Sequence, residues 1–159
     1  MTTKNSDLVA NLEALPQVAN NANVLGGVKR IAQGNVALAA GDSTDDDIVM
    51  LAPIPTNATI TSIRIGSDAL GGSCTFNVGF YTNEGVVVDE DALATSVADG
   101  AAIAELRYEV LNLNTTGQQV YELAGQSSDP NDIYYVAVTF NATGGTAGDL
   151  AFIIEYVVN

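Results

Sequence analysis

Two runs near the C-terminus decide the fold class: Asp132-Ile133-Tyr134-Tyr135-Val136-Ala137-Val138-Thr139-Phe140 and Asp149-Leu150-Ala151-Phe152-Ile153-Ile154-Glu155-Tyr156-Val157-Val158. In the first, Tyr134, Val136, Val138 and Phe140 share one side. In the second, Leu150, Phe152, Ile154, Tyr156 and Val158 do so. This period of two is that of a strand packed on a core. Between them, Asn141 to Gly148 holds three glycines, which turn the chain readily. The spacing predicts a β-hairpin with a loop longer than two residues, whose Tyr and Phe side chains supply much of the core.

Working back toward the N-terminus, the same signals recur at intervals of about 8–12 residues. Val28–Ala32 and Gly34–Ala39 read as a pair of strands or one bent strand, after a hinge at Gly26-Gly27. Ile48 to Leu51 reads as a strand ended by Pro53 and Pro55. Thr59 to Gly66 is another, with Ile60 out of alternation and suggesting a bulge. Cys74 to Tyr81 follows, with Cys74, Phe76, Val78 and Phe80 inward and Thr75, Asn77, Gly79 and Tyr81 outward. After a turn at Asn83-Glu84-Gly85 comes a short strand at Val86–Val88.

Two stretches read differently. Asp89-Glu90-Asp91 followed by Leu93 and Val97 at i,i+4 predicts a short helix. Residues 101–113 fit helix or strand, with strand favoured in the second half. Thr116-Gly117-Gln118-Gln119 reads as a capping box for a short helix ending at Gly125. The sum is an all-β sandwich of jelly-roll type with one or two short helices, occupying residues 26–159. Residues 1–25, rich in Asn and Ala, form an N-terminal arm. In it Leu8, Leu12 and Leu15 have helical spacing up to Pro16, and a marginal helix and an extended arm are both open.

Composition narrows the function classes. Asp and Glu number 19 against 5 Lys and Arg, a formal net charge of −14. That repels nucleic acid, whose affinity rests on neutralised phosphates, and anionic membranes. There is no histidine and a single cysteine. This rules out Ser-His-Asp and Cys-His catalysis, His-ligated zinc and an internal disulfide. Cys74, among inward-facing residues, reads as a buried structural thiol. No phosphate-binding glycine fingerprint and no signal-peptide pattern is present, so synthesis in a host cytoplasm without signal-directed export is expected. The loop Asp42 to Asp47 has two readings: a solvated acidic turn, or an oxygen cage for Ca²⁺ built on Asp42, Asp45 and Asp47, whose spacing is not that of an EF-hand.

Several segments, in order along nearly the whole chain, resemble a family of decoration, or cement, proteins from tailed bacteriophages, marine ones in particular. They are Lys4-Asn5-Ser6-Asp7-Leu8-Val9, Gly27-Val28-Lys29-Arg30-Ile31-Ala32-Gln33-Gly34, Ile54-Pro55-Thr56-Asn57-Ala58-Thr59-Ile60, Asp68-Ala69-Leu70 and Val78-Gly79-Phe80-Tyr81. Gly117-Gln118-Gln119-Val120-Tyr121-Glu122-Leu123-Ala124-Gly125 and Asp149 to Val158 complete them. The resemblance implies a β-sandwich on the outer surface of an icosahedral head. Its partners would be the major capsid protein and further copies of itself, as a homotrimer where capsomers meet. It carries no catalytic, cofactor or metal residues. Leu8, Leu12, Leu15 and Val18 would serve as apolar anchors of the arm, and Lys29 and Arg30, the one adjacent basic pair, would answer acids on a neighbour. The competing reading from another class is a carbohydrate- or receptor-binding β-sandwich module.

Overall fold

The computed structural model describes residues 5–20, 25–100, 104–106 and 117–158. Helix α1 is Asp7–Glu13. Strands β1 (Lys29–Leu38), β2 (Ile48–Pro55), β3 (Ala58–Ser67), β4 (Thr75–Tyr81), β5 (Val87–Ala98) and β6 (Ala104–Glu105) follow. Helix α2 (Val120–Leu123) then precedes β7 (Ile133–Phe140) and β8 (Gly148–Val158). Sheet 1 has the order β1-β8-β3-β6 and sheet 2 the order β2-β7-β4-β5. Every neighbouring pair is antiparallel.

These orders are those of a jelly roll. The pairs β1/β8, β2/β7, β3/β6 and β4/β5 are what a single long antiparallel ribbon would make, with its tip at the β4–β5 turn. That tip is closed by the Thr82 N–H donating to the Val86 carbonyl (2.8 Å), with Gly85 at φ +77°. Rolling the ribbon adds β3/β8 and β4/β7 and closes two sheets over one core. Ile54, Ile63, Ile65, Phe76, Val78, Phe80, Val136, Val138, Phe140, Leu150 and Ile154 meet there, all buried. Phe76 and Phe140 cross edge-to-face with ring centres 6.1 Å apart.

The sandwich is as expected, but several local readings are corrected. β7 and β8 are not a hairpin: they lie in different sheets, and residues 141–147 cross between them. That crossing is stitched to other loops, with the Gly144 N–H donating to the Ser43 carbonyl and the Thr146 N–H to the Leu70 carbonyl, each 2.8 Å. Asp89–Val97 is strand, not helix. Opposite Val78 and Phe80, β5 presents Ala94 and Asp89, five residues of advance for two, and this excursion spaces Leu93 and Val97 as a helix would. β2 runs on through Pro53 and Pro55, which an edge strand tolerates because its outer N–H groups have no ladder partner. Residues 29–38 form one strand, in unbroken register with β8.

Other readings stand. The bulge at Ile60 lies where the partner register shifts between Ile60 and Ser62. Helix α2 ends at Gly125 with φ +71°. Its capping residue is Gln119, whose N–H donates to Glu122 Oε2 (2.8 Å), so the box begins three residues later than Thr116, which lies outside the described residues. Of residues 101–113, the described part is β6 and Leu106. Cys74 is a buried free thiol, its Sγ 3.0 Å from the Ala142 carbonyl; burial, then the charge of Asp99, pushes its pKa up.

Candidate docking surface

The arm residues fold back on themselves. Ser6 precedes α1, and the helix stops at Glu13, ahead of Pro16. The returning segment is pinned by Asn20, whose amide donates to the Leu8 carbonyl (3.0 Å) and accepts from Asn11 (2.8 Å). The Val18 N–H adds a bond to the Asn11 carbonyl (3.0 Å). Among the described residues, no hydrogen bond or ion pair joins residues 5–20 to the sandwich. Of the predicted anchors, Leu8 is partly buried, Leu12 and Val18 are about half exposed, and Leu15 is 97% exposed. This is apolar surface held in a defined shape without a core of its own.

The predicted basic pair is divided by the fold. Lys29 Nζ lies 2.6 Å from Glu155 Oε2, while Arg64 Nη2 lies 2.9 Å from the other carboxylate oxygen. All three stand on the outer face of sheet 1, since their strand neighbours Ile63, Ile65 and Ile154 point into the core. Lys29's hydrogen bond, with help from Arg64, holds the Glu155 carboxyl below the usual carboxylate range. On the next strand Glu105 faces Arg64 and accepts from the Ile63 N–H (2.8 Å) and the Ser62 hydroxyl. Charges thus alternate across four strands. Arg30 alone among the described cations has no ion pair, and it is exposed.

The rest of that outer face carries few charges. Ile31, 59% exposed, Gln33, Asn35 and Ala37 of β1 run beside Ala151 and Ile153 of β8. Gln33, Gly34, Asn35, Ala151, Phe152 and Ile153 line a shallow hollow of about 330 Å³. A second cleft, of about 480 Å³, opens along the seam between the edge strands, from Val36–Leu38 across to Ile48–Met50, with Asp42 and Asp47 at its end. Sequence reasoning missed both, because it could not say which strands lie at edges.

The acidic loop has local work. Asp42 Oδ2 accepts from the Ala39 N–H (2.9 Å) and Asp47 Oδ2 from the Thr44 N–H (2.8 Å). Among the described residues, no three Cys, Asp or Glu side chains come together as a metal site, and no helix is long and apolar enough to cross a membrane.

The class defined by this geometry is a jelly-roll sandwich preceded by a short N-terminal helix. By structure the chain is similar to one in the capsid asymmetric unit of cyanophage Pam1, with a TM-score of 0.60 and 19% identity over 100% of both chains. It is also similar to a chain in the capsid of Ralstonia phage GP4, with a TM-score of 0.58 and 18% identity over 84% of this chain and 86% of that one. At such identity the likeness is one of fold. No protein-family model and no curated protein matches the chain.

Proposed function

We propose that the protein is a non-enzymatic structural component of a phage virion. It decorates the outside of an icosahedral head and bridges capsomers by contact with the major capsid protein and with copies of itself. The single observation that carries the reading is the fold shared over the full length of both chains with a chain of the Pam1 capsid. The decoration resemblance along the sequence gives it its finer form, including a trimer, whose three-fold symmetry suits the three-fold positions of a shell.

The arm supplies attachment: Leu8, Leu12, Leu15 and Val18 are apolar groups with little of the chain's own core to bury them, and they order fully on a neighbour or on the shell. Lys29 and Arg30, at the root of β1 just after the arm, meet acids of an adjoining subunit, Arg30 with its whole charge and Lys29 while shared with Glu155. The acidic remainder of the surface keeps packed particles apart. Repetition over a shell makes weak individual contacts strong together.

The test uses heads assembled without the protein. Full-length protein added back should bind them at high occupancy. Protein beginning at Gly26 should keep its unfolding midpoint yet bind much more weakly. Failure of the full-length chain to bind heads overturns the virion reading, and undiminished binding of the shortened chain removes the arm from it.

A further inference from the structure

Among the described residues, two four-stranded sheets leave four edges, and three are protected against pairing with another chain. β2 carries Pro53 and Pro55 and a register shift between Met50 and Ala52. β5 is broken by its excursion opposite β4. β6 is two residues long. Prolines, bulges, shortness and charged side chains are devices by which sheets avoid edge-to-edge pairing. β1 has only charges, Lys29 and Arg30, and those stand at its first two positions, leaving residues 31–38 uncharged. It is ten residues long, free of proline, in unbroken register with β8, and mostly exposed. Among the described residues, its backbone has no hydrogen-bond partner on the other side.

Its charges are also polarised along its length. Arg30 stands at the N-terminal end, and the loop bearing Asp42, Asp45 and Asp46 follows the C-terminal end at Leu38. If two β1 strands lie antiparallel, the N-terminal end of each comes beside the C-terminal end of the other. The unpaired guanidinium of one copy then faces the acidic loop of its partner, twice over by symmetry.

We infer that β1 is a strand-addition edge whose occupant is β1 of a second copy, giving a two-fold contact that continues sheet 1 across both subunits and is fixed in direction by Arg30 against the partner's acidic loop. Main-chain hydrogen bonds supply the adhesion, and the charges select antiparallel over parallel pairing, in which Arg30 would meet Arg30. The contact is distinct from any three-fold one and would join neighbouring oligomers. It deepens the self-association part of the reading above and does not rest on the virion: heads are absent from its test.

The experiment compares wild type, Arg30→Asp, Asp45→Lys and an equimolar mixture of the two variants by sedimentation velocity over a concentration series. Asp45 is chosen because its carboxylate, unlike those of Asp42 and Asp47, holds no backbone group of the loop. Wild type should sediment as a species of twice the mass of either variant alone, and each variant should dissociate at least 10-fold more readily. In the mixture one subunit carries only acids and the other only bases at the paired sites, so both contacts become attractive and the doubled species should return. That return also certifies both variants as folded. Two results overturn the inference: variants that associate like wild type, or a mixture that associates no better than its components. Hydrogen exchange of residues 29–38 provides the second measurement, expected to slow as wild-type concentration rises; exchange independent of concentration counts against the contact.

Discussion

The outer faces of the two sheets differ in how they treat their apolar side chains. On sheet 2 the chain covers itself. Asn77, Gly79 and Tyr81 of β4 and Ala137 and Thr139 of β7 point away from the sandwich core, yet all are buried. The cover is the Asp89–Asp91 excursion of β5, lying so close over Gly79 that a Cβ there would come within 2.1 Å of the Asp89 carbonyl oxygen. Beneath it the Tyr81 hydroxyl is bonded to Thr139, and Asn77 Oδ1 accepts from the Ser96 N–H (2.9 Å) and the Asn141 amide (2.8 Å). Among the described residues, none forms such a cover over Ile31, Gln33, Asn35, Ala151 and Ile153 of sheet 1, and Ile31 remains more than half exposed, although Val157 at the end of that face is buried. Among the described residues, a chain that builds a second small core on one face and leaves much of the other open has exposed apolar surface, a free edge and an unpaired cation on the same sheet.

The largest effect that sharpens this contrast is steric. Gly79→Val should destabilise the fold by about 3 kcal/mol, at the upper end for overpacking, because what it meets is backbone. Gly34→Ala on edge strand β1 of sheet 1, whose Cβ would turn to the core side beside Phe152, should be nearly neutral. Its Cβ would meet only the tip of the Phe152 ring, at 3.1 Å, and alanine's advantage over glycine in a strand offsets that. Urea unfolding curves measure both, and equal losses would break the contrast. Next comes Tyr81→Phe, which strands the buried Thr139 hydroxyl and should cost about 1–2 kcal/mol in the same assay.

The smallest effects are in pH dependence, and the two faces should differ in sign. Burial raises the pKa of Asp89, within the sheet 2 cover. Its folded form therefore holds a proton more tightly than the unfolded chain, and the stability it contributes is present at low pH and lost as pH rises through the raised value. Glu155 on sheet 1 is lowered, chiefly by Lys29. Its contribution is present above the ordinary Glu pKa and lost as pH falls through the lowered one. Asp89→Asn should remove the first slope and Glu155→Gln the second, read from unfolding midpoints across mildly acidic pH. A change of the same sign in both variants would contradict the assignment.

Much of the fold was legible because alternation reports which side of a strand is buried. On that basis alone Leu150, Phe152 and Ile154 read as inward, as they are. Alternation carries no information on the partner strand, so the sequence pattern predicts a β7–β8 hairpin although a rolled ribbon puts the two strands in opposite sheets. Alternation places Tyr81 outward, and it is, but the cover that buries it comes from an irregular excursion with no periodic signal. The same excursion gave Leu93 and Val97 a helical spacing. For the candidate surface, the anchors and the basic pair could be picked out by residue type. That Lys29 would be shared with Glu155 and Arg30 left unpaired depends on a register between strands 126 residues apart, which no local pattern contains.

The central claim, a virion protein that makes its contacts from the arm and the β1 side, is tested most directly by an electron cryo-microscopy map of heads carrying the protein. The account predicts density on the outer surface in which residues 5–20 and β1 are covered by the shell or by neighbouring copies, with Asp89–Asp91 facing solvent. A head without this density, or one on which the protein is seated through Asp89–Asp91 with β1 facing solvent, would contradict it.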